Sequence, residues 1–118
     1  MNVDRMRLVI VESPYAGDIQ NNLTYTRKCV RDCLKRNEAP FASHLLYTQD
    51  GVLDDNLPAD RILGMEAGFS WLEKADATVV YIDHGISKGM QVGIQRAELL
   101  RIPVEYRSFA ILLHCIPS

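Results

Sequence analysis

Arg7-Leu-Val-Ile-Val-Glu12, followed at once by Ser13-Pro-Tyr-Ala-Gly-Asp18, is the stretch on which the fold reading turns. An aliphatic, β-branched run without polar alternation predicts a strand buried on both faces, as central strands of parallel sheets are. Pro14 and Gly17 then stop the strand, and Asp18 is a good N-cap for a helix starting at Ile19. From Ile19 to Lys35 the apolar residues Ile19, Leu23, Val30 and Leu34 recur at helical spacing. Arg27, Lys28, Arg31, Asp32 and Lys35 fill much of the remainder, which predicts an amphipathic crossover helix that Asn37 ends.

The same alternation continues outward. Ala39–His44 reads as a short second strand running into Leu45, Leu46 and Tyr47. Thr48–Pro58 is polar and is the longest loop; loops of about a dozen residues are usually functional or mobile, so a lid or partner surface is expected there. Ala59–Ala75 is helical, with Ile62, Met65, Phe69 and Leu72 on one stripe. Ala77–Ile82 is a third strand, Asp83–Gly89 a second glycine-bearing loop, Met90–Leu100 a third helix and Ile102–Tyr106 a fourth strand. The apolar stretch Phe109–Ile116 is either a fifth strand or a surface that pairs with another subunit. The order predicts one α/β domain over residues 1–118, with a mostly parallel sheet of four to five strands, right-handed crossovers and helices on both faces. Ligands of such sheets bind outside the carboxyl ends of the strands, where the strand order reverses. Ser13–Tyr15 and Asp83–Gln91 therefore belong at the rim of one crevice.

Composition narrows the partners. A chain of 118 residues has room for one core. The net charge of −2 leaves no basic surplus to neutralise a phosphate backbone, so no nucleic-acid partner is expected. A small anion stays possible, because a helix N-terminus holds phosphate without net positive charge. Cys29, Cys33 and Cys115 form neither a CxxC pair nor an even set and read as reduced, buried thiols. The apolar run Leu8–Val11 is too short for a signal segment or a membrane span, so cytoplasmic residence is the expectation. No HExxH, clustered Cys/His or GxGxxG pattern occurs, and Asp50, Asp54 and Asp55 lack the spacing of a calcium loop. Neither a metal nor a dinucleotide cofactor is expected.

Gly85-Ile-Ser87-Lys-Gly89 carries two readings. As G-x-S-x-G between strand and helix it is a nucleophile elbow with Ser87 attacking, but no aspartate comes after Asp83 and the only later histidine is His114. As a flexible loop opening a helix it offers backbone N–H groups, the Ser87 hydroxyl and the Lys88 ammonium, with Met90 next in line, to a phosphate or sugar. Asp83, at the strand end, suits a ribose hydroxyl or a turn. His44 and His84 fall at strand ends on the same edge and suit ligand contact or proton transfer. Tyr15 suits stacking on a base, with Ser13 and Pro14 beside it, and Asn22 suits reaching back into the crevice from the first helical turn.

Ser13-Pro-Tyr-Ala-Gly17 with Asn22, Pro40 with His44-Leu-Leu46, Arg61-Ile-Leu-Gly-Met-Glu66, and Ile86-Ser-Lys-Gly-Met90 with Ala97 and Ile102-Pro-Val104 occur together in this order. On these stretches the chain resembles the nucleoside 2-deoxyribosyltransferase-like superfamily, in particular its small bacterial and phage domains of unassigned activity. The resemblance implies a flavodoxin-like, Rossmann-like sheet, frequent homo-oligomerisation, and a pocket for a base joined to a sugar. It also implies a catalytic glutamate four residues beyond the last glycine of the loop and an acidic residue eight before the aspartate that introduces the next strand. Those positions are Gly93 and Gly68 here. Since glycine supplies no nucleophile, two functions are open. One is binding of a nucleotide or nucleoside, an ADP-ribose-derived signal included, without rapid turnover. The other is an N-glycosidase or transferase that uses Asp83, His84 or Glu66 instead. A structural or partner-binding domain is a third reading, with Phe109–Ile116 and the long loop as contact surfaces.

Overall fold

The structure, a computed structural model, describes residues 5–110. Its order is β1 (Arg7–Glu12), α1 (Ile19–Lys35), β2 (Glu38–Phe41), α2 (Ser43–Leu46), α3 (Pro58–Leu72), β3 (Ala77–Tyr81), α4 (Lys88–Leu99) and β4 (Val104–Arg107). The four strands form one parallel sheet in the order β2-β1-β3-β4. The order reverses between β1 and β3, whose carboxyl ends lie side by side, as the crossover pattern predicts.

The period-2 geometry of strands sorts the core. Val9 and Val11 of β1 join Ala77, Val79 and Tyr81 of β3 against Tyr25, Cys29 and Cys33 of α1. Val80 faces the other way, toward Met90 and Ile94 of α4. β3 is buried along its whole length, whereas β1 is not: Leu8 is 38% exposed. The expectation that β1 is covered on both faces fails because α3 packs beside α4 and only lightly on the strands.

Helix faces also differ from the expected stripes. The buried stripe of α1 is Asn22, Tyr25, Thr26, Cys29 and Cys33, while Ile19 and Leu34 are exposed. Polar residues sit inside because each finds a partner: the Thr26 hydroxyl donates to the Asn22 carbonyl at 2.9 Å. On α3 only Leu72 of the expected stripe is fully buried, and Ile62, Leu63, Met65 and Trp71 are exposed. The second strand is shorter than expected, since the chain turns into α2 at Ser43. Asn37 does end α1, with φ +63°, a conformation its short polar side chain tolerates. Phe109 and Ala110 come after β4 without extending the sheet, and the rest of the expected fifth strand lies outside the described residues.

Candidate functional site

Two turns follow the carboxyl ends of β1 and β3, at the edge where the sequence places the crevice. The first, Ser13–Asp18, is held from beneath by α1. The Asn22 amide donates to the Tyr15 and Ala16 carbonyls at 2.9 and 3.0 Å, and the Ser13 hydroxyl meets that of Thr26 at 2.7 Å. Asn22 and Ser13 therefore shape the loop from within, and Ser13 is fully buried. Tyr15 stays partly open and stacks on His44 with ring centroids 4.8 Å apart. Burial lowers the pKa of His44.

The second turn, Ile82–Ser87, is closed by a hydrogen bond from the Gly85 amide to the Ile82 carbonyl, and Gly85 has φ +82°, which only glycine adopts without strain. Ser87 caps α4, its hydroxyl accepting from the Met90 amide at 3.2 Å. Ser87, Lys88 and Gly89 are exposed, whereas Met90 is a core residue, 1% exposed. Asp83 points toward α1 and the segment that follows β4. It accepts from the Tyr25 and Ser108 hydroxyls, each at 2.6 Å, and from the Phe109 and Ala110 amides at 3.2 and 3.1 Å. Burial pushes its pKa up, but these donors outweigh burial and hold the carboxyl well below the usual carboxylate range. His84 is exposed and stacks on Tyr25 at 4.1 Å. Glu66 is exposed on α3.

The larger hollow opens on the other side of the first turn. It measures about 770 Å³ and lies between Tyr15–Ile19 and the long loop from Thr48 to Asn56, with Asp60 and Arg61 closing it. Its charged walls are Asp50, Asp54, Asp55 and Asp60 against Arg61 alone. A smaller cavity of about 70 Å³ shares Thr48, Leu53, Asp55, Asp60 and Arg61 with it and adds His44, Tyr47 and Met65. The structure thus gathers Tyr15, His44 and the long loop around open space. It sets Asp83, Ser87 and Lys88 on the neighbouring turn, outside both hollows.

Sequence reasoning missed Glu12. It ends β1, in register with Val80, so its side chain faces α4 rather than α1. There it lies against the backbone of Gly93: a Cβ added at 93 would be 2.6 Å from the Glu12 Cδ, so close that the carboxyl would have to shift. Removal from water pushes the Glu12 pKa up to about 8. The available signal was strand parity, since an acidic residue two positions beyond Ile10 shares its face. Gly68 is different: a Cβ there would meet the Ser43 Cβ at 4.0 Å, an ordinary contact. Cys29 and Cys33 are fully buried with thiol pKa values raised by that burial, as expected of inert thiols.

The family described as Domain of unknown function (DUF7768) matches residues 7–107. The chain belongs to that family. No curated protein matches the DUF7768 chain. Among solved structures it is similar to a 2-deoxyribosyltransferase from Bacillus psychrosaccharolyticus, with a TM-score of 0.69 and 17% identity over 86% of this chain and 72% of that one. It is also similar to a conserved protein from Enterococcus faecalis V583, with a TM-score of 0.66 and 19% identity over 86% of this chain and 63% of that one. At such identities the likeness establishes a shared α/β fold. Among the described residues no group of three His, Cys, Asp or Glu side chains forms a metal site, and no helix is long and apolar enough to cross a membrane.

Proposed function

We propose that the DUF7768 domain binds a nucleoside- or nucleotide-type ligand at the carboxyl ends of β1 and β3 and does not turn it over rapidly. The observation that carries this reading is the pair of adjacent turns at the strand-order reversal, with Tyr15 half-open on one and the Ser87 cap on the other. The fold shared with a 2-deoxyribosyltransferase supports a nucleoside-related ligand. Slow turnover is supported by the glycines at 68 and 93, where the resemblance implies carboxylates, and by the engagement of Asp83 in four hydrogen bonds. Glu12 does not restore a nucleophile at neutral pH, because with a pKa of about 8 it is mostly neutral there.

A second reading, an N-glycosidase or transferase, is favoured by one observation: the Glu12 carboxyl occupies the space of a side chain at 93. The two readings separate in one experiment. The protein is incubated with nucleosides, NAD and ADP-ribose-type nucleotides, and both free base and ligand depletion are monitored. Binding without base release is expected; steady base release establishes the enzyme. Ser87→Ala should weaken binding, and unchanged affinity would remove the α4 cap from the site. Self-association belongs to the same proposal, since Ile62, Leu63, Met65 and Trp71 leave α3 apolar on its solvent side. Sedimentation velocity tests it, with a dimer or larger species expected.

A further inference from the structure

Glu12 ends β1 beside the first turn and lines neither hollow. Asp83 ties the segment after β4 to β3, and Glu38 and Glu105 pair with Arg7 and Arg107. Among the described residues no hydrogen bond or ion pair reaches the Glu12 carboxyl, and burial alone shifts its protonation. A desolvated carboxyl without a partner is costly, and the cost is smallest when the group stays neutral. The fold nevertheless accommodates it, since the bare backbone of Gly93 leaves the gap into which the carboxyl fits. The residue is only partly screened from solvent and sits at the strand end, next to the first turn of the crevice.

Nearby charges do not complicate its chemistry. On the β3–α4 side Asp83 is turned toward α1, Lys88 and Glu98 are exposed, and Arg96 lies over the Phe69 ring at 4.2 Å. On α3, Arg61 and Glu66 are exposed. The position of Glu12 therefore combines partial exposure at a strand end, no side-chain partner among the described residues and a raised pKa, a combination found in carboxyls that meet a ligand as neutral acids.

We propose that Glu12 is a ligand-contacting residue of the crevice, whose carboxyl lies across the bare backbone of Gly93 and donates its proton in a hydrogen bond to an acceptor of a nucleoside-type ligand. This rests on the nucleoside reading above and adds the residue and the kind of contact. A base carbonyl, a ring nitrogen or a sugar oxygen satisfies it. An amide in place of the acid keeps the donor at every pH, whereas an aliphatic side chain of similar size removes it.

The test is titration calorimetry with the common ribo- and deoxyribonucleosides between pH 6 and 9.5, on the wild type, Glu12→Gln, Glu12→Leu and Gly93→Ala, each checked for its fold by circular dichroism. Wild-type affinity should hold to about pH 7 and fall as pH passes 8, levelling off about tenfold or more below its neutral-pH value. Glu12→Gln should bind without that pH dependence. Glu12→Leu at pH 7 should bind about tenfold more weakly, the worth of one lost hydrogen bond. Gly93→Ala should weaken binding too, because its methyl displaces the flexible end of Glu12. Wild-type affinity in Glu12→Leu, or a surviving pH dependence in Glu12→Gln, overturns this proposal alone. A wild type that binds none of the nucleosides overturns this proposal, and the functional reading falls with it only if the nucleotides of the panel above also fail to bind.

Discussion

Arg107 and Glu38 join opposite edges of the sheet: the guanidinium of Arg107 on β4 donates to both oxygens of Glu38 on β2, at 2.8 and 2.7 Å. Both side chains are nearly buried, 9% and 6% exposed. Arg7 bonds Glu38 and Glu105, and Tyr81 accepts from Arg107 at 3.1 Å while donating to Asp32 at 2.7 Å. The network lies on the sheet face that α1 packs against, since Tyr81 belongs to both.

Removing one end of this pair leaves Glu38 with Arg7 alone. Arg107→Ala should destabilise the domain by about 1.5–3 kcal/mol, because Glu38 loses its two-pronged partner while still nearly buried. The double variant Arg107→Met with Glu38→Leu should recover most of that loss, since buried pairs roughly break even against apolar substitutes. Urea unfolding of the three proteins checks it, and equal losses in single and double variants would contradict it.

Asp83 anchors the chain after β4, and its anion is what the four donors hold. Its folded pKa is depressed, as is that of Glu38 through Arg107. Depressed carboxylates contribute stability that is complete above their unfolded pKa and is lost as pH falls through the folded values. The thermal midpoint should accordingly drop below about pH 4. Asp83→Asn should flatten that acid slope and cost roughly 1–3 kcal/mol at pH 7, measured as the loss of charged hydrogen bonds.

Glu12 works in the opposite sense. Its folded pKa of about 8 lies above the unfolded value of 4.5, so the folded state holds the proton more tightly. The contribution to stability is complete below the unfolded pKa and declines as pH rises toward 8. Glu12→Gln should therefore be neutral near pH 4 and stabilise the domain increasingly up to about pH 8, by a few kcal/mol at most. Calorimetric melts of the two proteins across that range decide it, and parallel curves would rule out a desolvated carboxyl.

The walls of the larger hollow carry four aspartates against one arginine. If the sugar end of a ligand enters there, a nucleoside should compete better than its 5′-phosphate at low ionic strength, and added salt should narrow the gap. A competition series at two salt concentrations reads this directly. Tighter binding of the phosphate would place that group at the Ser87–Lys88 end of the crevice instead.

Local patterns announced the elements well where one physical cause acts alone. The aliphatic run of β1, the Asp18 cap, the Asn37 stop and the apolar β3 need no tertiary knowledge. The faces of α1 and α3 were read less well; on α1, Thr26 passes for an exposed polar residue until its partner Ser13 in the loop is known. The site divided in the same way. Tyr15 and His44 were legible as candidates, but their stacking and the hollow beside the long loop depend on segments distant in sequence.

From the chain alone came the alternation of strands and helices, and with it a parallel sheet and a crevice at the carboxyl ends of β1 and β3, because hydrophobic period and turn chemistry are local properties. Tertiary structure decided what the acidic residues do. Glu12 and Asp83 both stand where a strand gives way to a turn, yet Asp83 meets four donors whereas Glu12 lies against the bare backbone of Gly93. A carboxyl's protonation depends on what surrounds it in space, and in a crossover fold those neighbours come from other parts of the chain.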